Sequence, residues 1–232
     1  IPYLVTSLGG DVTHLAQQST YHRRLFQQVL TDARVAMANG PSLARQAAAL
    51  TGIKVETCPL GIDGTRFANV IRKKAARAEL GLPADKTLVL FVGAVSKEKG
   101  VVELLQAVRH LDDSTLCCVL VGTGPLSTEA SQTPHCLPVG FQDNSRLPLY
   151  FAAADMFVLP SHSEGLPTVV IEAGLSSVPV IGSDIPPIRD LLGNGRGILV
   201  PLQDPTALAR EIAQMRDAPG PAAEQAARLK NH

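Results

Sequence analysis

The chain has 232 residues, 45% of them hydrophobic, enough to bury a sizeable core as one large domain or as a small domain beside a medium one. Lys plus Arg equals Asp plus Glu at 21 each, so no overall field favours nucleic acid or an anionic membrane, and any anion site has to be built locally. No apolar run reaches the ~20 residues of a membrane span, and the first residues carry no charged-then-apolar leader pattern.

In chain order, IPYLVTSLGGD opens without Met as if in mid-strand, and the sequence is expected to be a fragment of a longer protein. The apolar runs 34–38 (RVAMA), 87–92 (TLVLFV), 116–121 (LCCVLV), 156–159 (MFVL), 178–181 (VPVI) and 197–200 (GILV) read as buried parallel strands. Helical patterns lie between them at about 42–50, 100–111, 145–154, 168–176, 186–192 and 205–216. Strand and helix in alternation predict an α/β doubly wound sheet, with its ligand crevice beyond the carboxyl ends of the strands. CPLGIDGTRF (58–67), with Pro59, Gly61 and Gly64, reads as a hinge. The expected organisation is the end of a first domain over 1–61, a nearly complete second domain over 62–218, and a tail with an Ala-rich, marginal helix over 219–232. Cys58, Cys117, Cys118 and Cys136 show no CxxC spacing; they read as reduced core thiols and suggest the cytosol.

Each strand of the second domain ends in candidate site chemistry. FVGAVSKEKG (91–100) places Gly93 at a strand end and Lys97 and Lys99 at a helix start, where amides and an ammonium can hold a phosphate; the alternative is a solvated face, with Lys beside Glu98. VLVGTGPL (119–126) puts Gly122 and Gly124 in a turn that a nucleotide can approach closely, although a tight turn alone explains the glycines equally well. Gly140 and Phe141 either border a base or, for Phe141, belong to the core. The following helix turns Leu147, Tyr150, Phe151 and Ala154 inward.

SHSEGLPTVVIEAGL (161–175) carries two carboxylates. Pro167 suits a helix's first turn, since its missing N–H would be unpaired there. The amides of Gly165, Leu166 and Thr168 would then face the crevice as an anion site suited to a diphosphate. Glu172 lies about one turn further in, on a mostly apolar helix, and has to find donors or be protonated; the two hydroxyls of a ribose are suitable donors. Glu164 would face whatever lies beyond the phosphates. The competing explanation for both acids is capping or salt bridging near a helix end.

FVGAVSKEKG, VGTGPL, VGF, AAADMFVLPSHSEGLPTVVIEAGLSSVPVIGSD and GRGILVPLQDPTALAREI, in this order, resemble the retaining GT-B glycosyltransferases called family 4. EGLPTVVIE is similar to that family's paired-glutamate motif, two Glu separated by seven residues. The likeness covers about residues 1–216. It implies a GT-B fold, with a near-complete C-terminal Rossmann-like donor domain after the end of an N-terminal Rossmann-like acceptor domain. It also implies transfer from a nucleotide sugar to a hydroxyl acceptor, typically in surface polysaccharide or glycolipid synthesis.

Carried over by position, Glu172 would bind the ribose, Glu164 the donor sugar, the amides of Gly165 and Leu166 the sugar or phosphates, and Lys99 the diphosphate. No cofactor or metal is implied, and the sequence contains no Asp-x-Asp. Nucleic acid is not an expected partner. The resemblance leaves room for peripheral membrane association through a missing N-terminal part, and it leaves the oligomeric state open. Two positions depart from the family. Ala94 stands where Arg is common, with Lys97 as a candidate substitute, and Leu8 stands where His often precedes Gly. His14 reads as a surface residue at a helix start, with a place in the catalytic cleft as the alternative, and Asp11 either meets an acceptor hydroxyl or caps the following helix. Two other readings compete: a non-catalytic GT-B remnant that binds a nucleotide or a partner protein, and a GT-B epimerase of nucleotide sugars.

Overall fold

The computed structural model describes residues 2–68 and 71–232. The chain forms two compact units. The first holds Ile1–Ile62 with two later segments, Ser163–Pro167 and Pro186–Asp190; the second holds Asp63–His162, Thr168–Ile185 and Leu191–His232.

In the first unit β1 (Leu4–Ser7), β2 (Val35–Ala38) and β3 (Glu56–Thr57) make a parallel sheet in that order. Leu4 pairs with Val35 and Ser7 with Ala38. A π-helical turn, Asp11–Leu15, runs into α1 (Ala16–Gln18), α2 (Thr20–Asp32) follows, and α3 (Pro41–Thr51) leads to β3. Pro41 opens α3, and Gly52 closes it at a φ of 73°, a left-handed conformation in which glycine is unstrained. Val12, Ala16, Phe26, Leu30, Ala38, Leu43 and Ala47 form the core of this unit.

The second unit begins with α4 (Thr65–Ala68) and α5 (Lys73–Leu80). It continues through β4 (Thr87–Val92), α6 (Val101–Leu111), β5 (Leu116–Val121), α7 (Ser127–Gln132), β6 (Cys136–Gly140) and a 3-10 turn at Asn144–Arg146. Then come α8 (Leu147–Ala153), β7 (Met156–Leu159), α9 (Thr168–Leu175), β8 (Val180–Ser183), α10 (Pro186–Leu192), β9 (Ile198–Val200), α11 (Pro205–Asp217) and α12 (Pro219–Lys230). The first five residues of α10 group with the first unit. All six strands are parallel, in the order β6-β5-β4-β7-β8-β9, so the chain winds outward from β4 and then restarts at β7 on its other side. This is the Rossmann-like doubly wound fold, and the reversal between β4 and β7 is the switch point beyond which such sheets hold ligands. Every residue of β5 is buried because both faces of the sheet are covered.

At the amino ends of the strands the Arg77 guanidinium is buried. Its Nε donates to the Ala153 carbonyl at 2.9 Å, Nη1 to the Lys86 carbonyl at 2.8 Å, and Nη2 to Asp155 Oδ2 at 2.6 Å. Burial pushes the Asp155 carboxyl up, but the Leu88 amide, Lys73 and Arg77 outweigh it and hold the group below the usual carboxylate range. A charge taken out of water here has every partner it needs.

Elements that the sequence pattern does not announce have local causes. CLPVG forms β6 despite Pro138 because it is an edge strand, where a missing N–H costs no ladder bond. The strand expected at 178–181 runs instead over Val180–Ser183, since the Val178 amide closes α9 on the Ala173 carbonyl at 2.9 Å. α2 is an unexpected thirteen-residue helix that buries Phe26 and Leu30. Cys58 is exposed rather than in the core; all four cysteines are free.

Residues 219–230 are a packed helix. α12 buries Ala222, Ala226 and Leu229 and lies against α9, where a Cβ at Gly174 would come 2.8 Å from Leu229 Cγ. Leu229→Ala should therefore cost about 2–4 kcal/mol, read as a lower urea midpoint with an unchanged slope. A midpoint equal to the wild type would mean that α12 adds nothing to the fold.

Candidate functional site

Three strand ends of the second unit meet without side chains between them. Gly122, at a φ of +133°, sits so close to Gly93 that a Cβ there would lie 1.9 Å from the Gly93 carbonyl oxygen. A Cβ at Gly124 would lie 2.4 Å from the Val95 carbonyl oxygen. Backbone bonds fill the space instead: Gly93 N–H to Val121 O at 3.0 Å, Val95 N–H to Thr123 O at 3.0 Å, and Gly122 N–H to Gly140 O at 2.8 Å. The glycines are thus required by the protein's own packing, and that packing also keeps the strand ends low.

Above them opens a cavity of about 320 Å³ lined by Gly93, Ala94, Gly122, Thr123, Phe141, Gln142 and Asn144. Phe141 is 75% exposed, so it belongs to the cavity wall and not to the core. Gly140 turns at a φ of 73° with open space where a side chain would stand. A larger cavity of about 450 Å³ lies at the opposite strand ends beside Lys73, Arg77 and Asp155. Those charges already satisfy one another, which leaves little to recognise a ligand.

Lys97 is exposed and Lys99 half-buried in the turn before α6, whose first cap is Gly100 at a φ of 69°. A Cβ at Gly100 would lie 1.9 Å from the Pro160 carbonyl oxygen, so this turn is seated directly on the end of β7. Ala94 is exposed.

Glu172 stands half-buried in α9 between the buried residues Val170 and Ala173. Its Oε2 is buried and has no hydrogen-bond partner among the described residues. Burial pushes its carboxyl above the ordinary value of 4.5, and the charge of Arg66 only partly offsets this. Arg66 in turn donates through Nη2 to the carbonyl of Asn144. Neither Arg66 nor Asn144 stands out in the sequence; the available signal is that Asn144 follows shortly after Gly140-Phe141 and that Arg66 closes the GIDGTRF break.

The first unit carries the remaining candidates. Gly165 lies flush on the turn after β1, where an added Cβ would be 2.0 Å from the Leu8 carbonyl oxygen. Gly9, at a φ of +142°, faces Gly165 from the other side of the same contact. Asp11 accepts the Gly9 amide at 2.9 Å, a turn-closing role that occupies one of its oxygens. Leu8 is 56% exposed and His14 is exposed. Glu164 and Leu166 are half-buried and Pro167 is buried, immediately before α9 begins at Thr168.

The sequence model of the family described as Glycosyl transferases group 1 matches residues 72–232. TuaC of Bacillus subtilis, named as a teichuronic acid biosynthesis glycosyltransferase, is 38% identical over 215 residues, 92% of this chain and 55% of TuaC. The chain spans about half the length of the curated relatives it matches. Among solved structures, sucrose-phosphate synthase from Thermosynechococcus elongatus superposes with a TM-score of 0.83 at 26% identity, over 100% of this chain and 62% of that one. HepE of Anabaena, solved in complex with UDP, has a TM-score of 0.87 at 19% identity over 99% of this chain and 66% of its own, a likeness of fold.

The unsatisfied carboxylate has a measurable signature. Its folded-state pKa is raised, so the folded protein binds the proton more tightly and stability is lost as pH climbs from 4.5 through the raised value. Glu172→Gln should therefore raise the melting temperature of the ligand-free protein near about pH 7, and the gain should fade as pH falls below the ordinary carboxylate value. Thermal melts across that range check it, and a gain independent of pH would remove burial of the charge as the cause.

Proposed function

The chain belongs to the glycosyl transferases group 1 family, and from that premise we propose that it carries the nucleotide-sugar site of a retaining, metal-independent hexosyltransferase that uses a hydroxyl acceptor. The observation that carries this reading is Glu172, a buried acceptor without an internal donor on an apolar helix. A ribose diol supplies two donors to one carboxylate, and a charge-assisted pair of that kind offsets the desolvation that the fold leaves uncompensated.

In this reading the cavity floored by Gly93 and Gly122 takes the base, with Phe141 against its face; Gly140, with open space in place of a side chain, and Gly124 are the further candidates for close backbone approach. Lys99, with Lys97 in place of an arginine at Ala94, meets the diphosphate; the amides of Gly165 and Leu166 beside Pro167 meet the sugar or the phosphates, and Glu164 holds hydroxyls of the sugar. Asp11 is the candidate on the acceptor side. The bond from the anomeric carbon to the diphosphate oxygen breaks as the acceptor oxygen bonds to that carbon on the same face. The acceptor's proton passes to the departing phosphate oxygen, so neither a protein base nor a metal is needed. The UDP named with HepE supports uracil as the base, and TuaC's name supports a bacterial surface polysaccharide as product, with a glycolipid as an alternative acceptor. The four free cysteines support a cytoplasmic site of action; among the described residues no helix is long and apolar enough to cross a membrane.

A second reading is a nucleotide-binding protein without transfer. It is favoured by Ala94 and by the exposed Leu8, which stand where the resembling enzymes carry cations or a histidine. Incubating the encoded protein with UDP-glucose and a lipid or saccharide acceptor separates the two: sugar transfer that persists in EDTA supports the first, and tight binding with the nucleotide sugar recovered intact supports the second.

Binding tests assign the parts. Glu172→Gln should weaken UDP and UDP-glucose alike by roughly 1–3 kcal/mol. Glu164→Gln should leave UDP nearly unaffected while weakening UDP-glucose. Lys99→Ala should weaken UDP more than uridine, since an ammonium meets phosphate and not base. Calorimetric titration reads all three, and equal losses for both ligands in Glu164→Gln would return the acids to a structural role.

A further inference from the structure

Glu103 and His162 form a part-buried polar pair that the proposed reaction does not use. Glu103 sits in the first turn of α6 and His162 just past the end of β7; their side chains are 12% and 18% exposed. His162 Nε2 lies 3.0 Å from Glu103 Oε1, and the tautomer protonated at Nε2 donates to that carboxylate. The His162 backbone N–H donates to the Glu98 carbonyl at 2.9 Å, inside the Lys97–Gly100 turn itself. The same two segments touch at Gly100 and Pro160, where there is no room for a side chain. Glu103 Oε2 is buried with no partner among the described residues, so a carboxylate is kept here at a cost in desolvation that a packed apolar residue would avoid.

We propose that His162 and Glu103 are positioning residues that hold the Lys97–Gly100 turn on the end of β7 in the form that receives the diphosphate. His162 ties the segment at two points: its backbone N–H bonds the turn's own Glu98 carbonyl, and its ring bonds Glu103 in the first turn of the helix that follows. A phosphate-binding turn held in place before the ligand arrives loses less entropy on binding. The inference rests on the proposal that this turn meets the phosphates, and it adds the residues that keep the turn in place.

The test is calorimetric titration of the intact chain and its variants with UDP and with uridine. His162→Ala should weaken UDP by roughly tenfold, the size of one lost charge-assisted hydrogen bond, and leave uridine unchanged. His162→Gln, whose amide still donates from about the same place, should restore most of the loss. Glu103→Ala should add little to His162→Ala when the two are combined, because either change alone breaks the bond they share. A lower melting temperature with UDP affinity intact, or equal losses for UDP and uridine, would make the pair merely structural and overturn the proposal. If the unaltered chain binds uridine but gains nothing from the diphosphate, the phosphate reading of the turn fails and this inference falls with it. If the unaltered chain favours UDP while all variants match it, only the inference fails.

Discussion

The second unit depends on the backbone contact between the turns that end β4 and β5. With Gly122 against the Gly93 carbonyl and Gly124 against that of Val95, no side chain fits at either point. The consequence is twofold. The turns lock to each other through backbone hydrogen bonds, and the cavity above them stays open. A larger residue at either glycine would force the turns apart, so architecture and cavity are set by the same contact. Gly100 against Pro160, and Gly165 against Leu8 in the first unit, repeat the device.

Two half-buried acids show what the fold does with charge when the chain as a whole has none to spare. Asp155 lies at the amino ends of the strands, where the Leu88 amide, Lys73 and Arg77 meet its oxygens and its carboxyl stays ionised. Glu172 lies in α9 with one oxygen unmet and its carboxyl pushed up. The first is a structural charge, complete by itself. The second is incomplete in the isolated protein, and an incomplete buried acceptor is a place where a ligand can gain what the fold forgoes.

Much of the second unit was legible because its strands are continuous apolar runs bounded by glycine turns. TLVLFV and LCCVLV have the composition that only a strand covered on both faces can use, and the structure places β4 and β5 over those residues. The elements that escaped are those whose signal is local and mixed: α2 is polar along most of its length and β6 contains a proline, whereas α12, expected only as a marginal helix, is fixed by the alanines and leucine it packs. Tertiary contacts decide such segments, since propensity alone is too weak to commit them.

By itself the sequence determined the kind of sheet, the alternation of strand and helix, the family resemblance and the two carboxylates in EGLPTVVIE, because patterning and spacing are properties of the chain read in one dimension; the order of the strands in the sheet came from the fold. It left open which glycines touch which carbonyls, that Phe141 turns outward, that Arg66 reaches the carbonyl of Asn144, and that His162 meets Glu103 across 59 positions. These depend on how close distant segments come once packed, and the distances that decide them are differences of an ångström between backbones. Whether a buried acid finds its donors is likewise a property of neighbours in space. Asp155 and Glu172 are both carboxylates beside apolar residues in the sequence, and only the folded chain distinguishes the one that is satisfied from the one that is not.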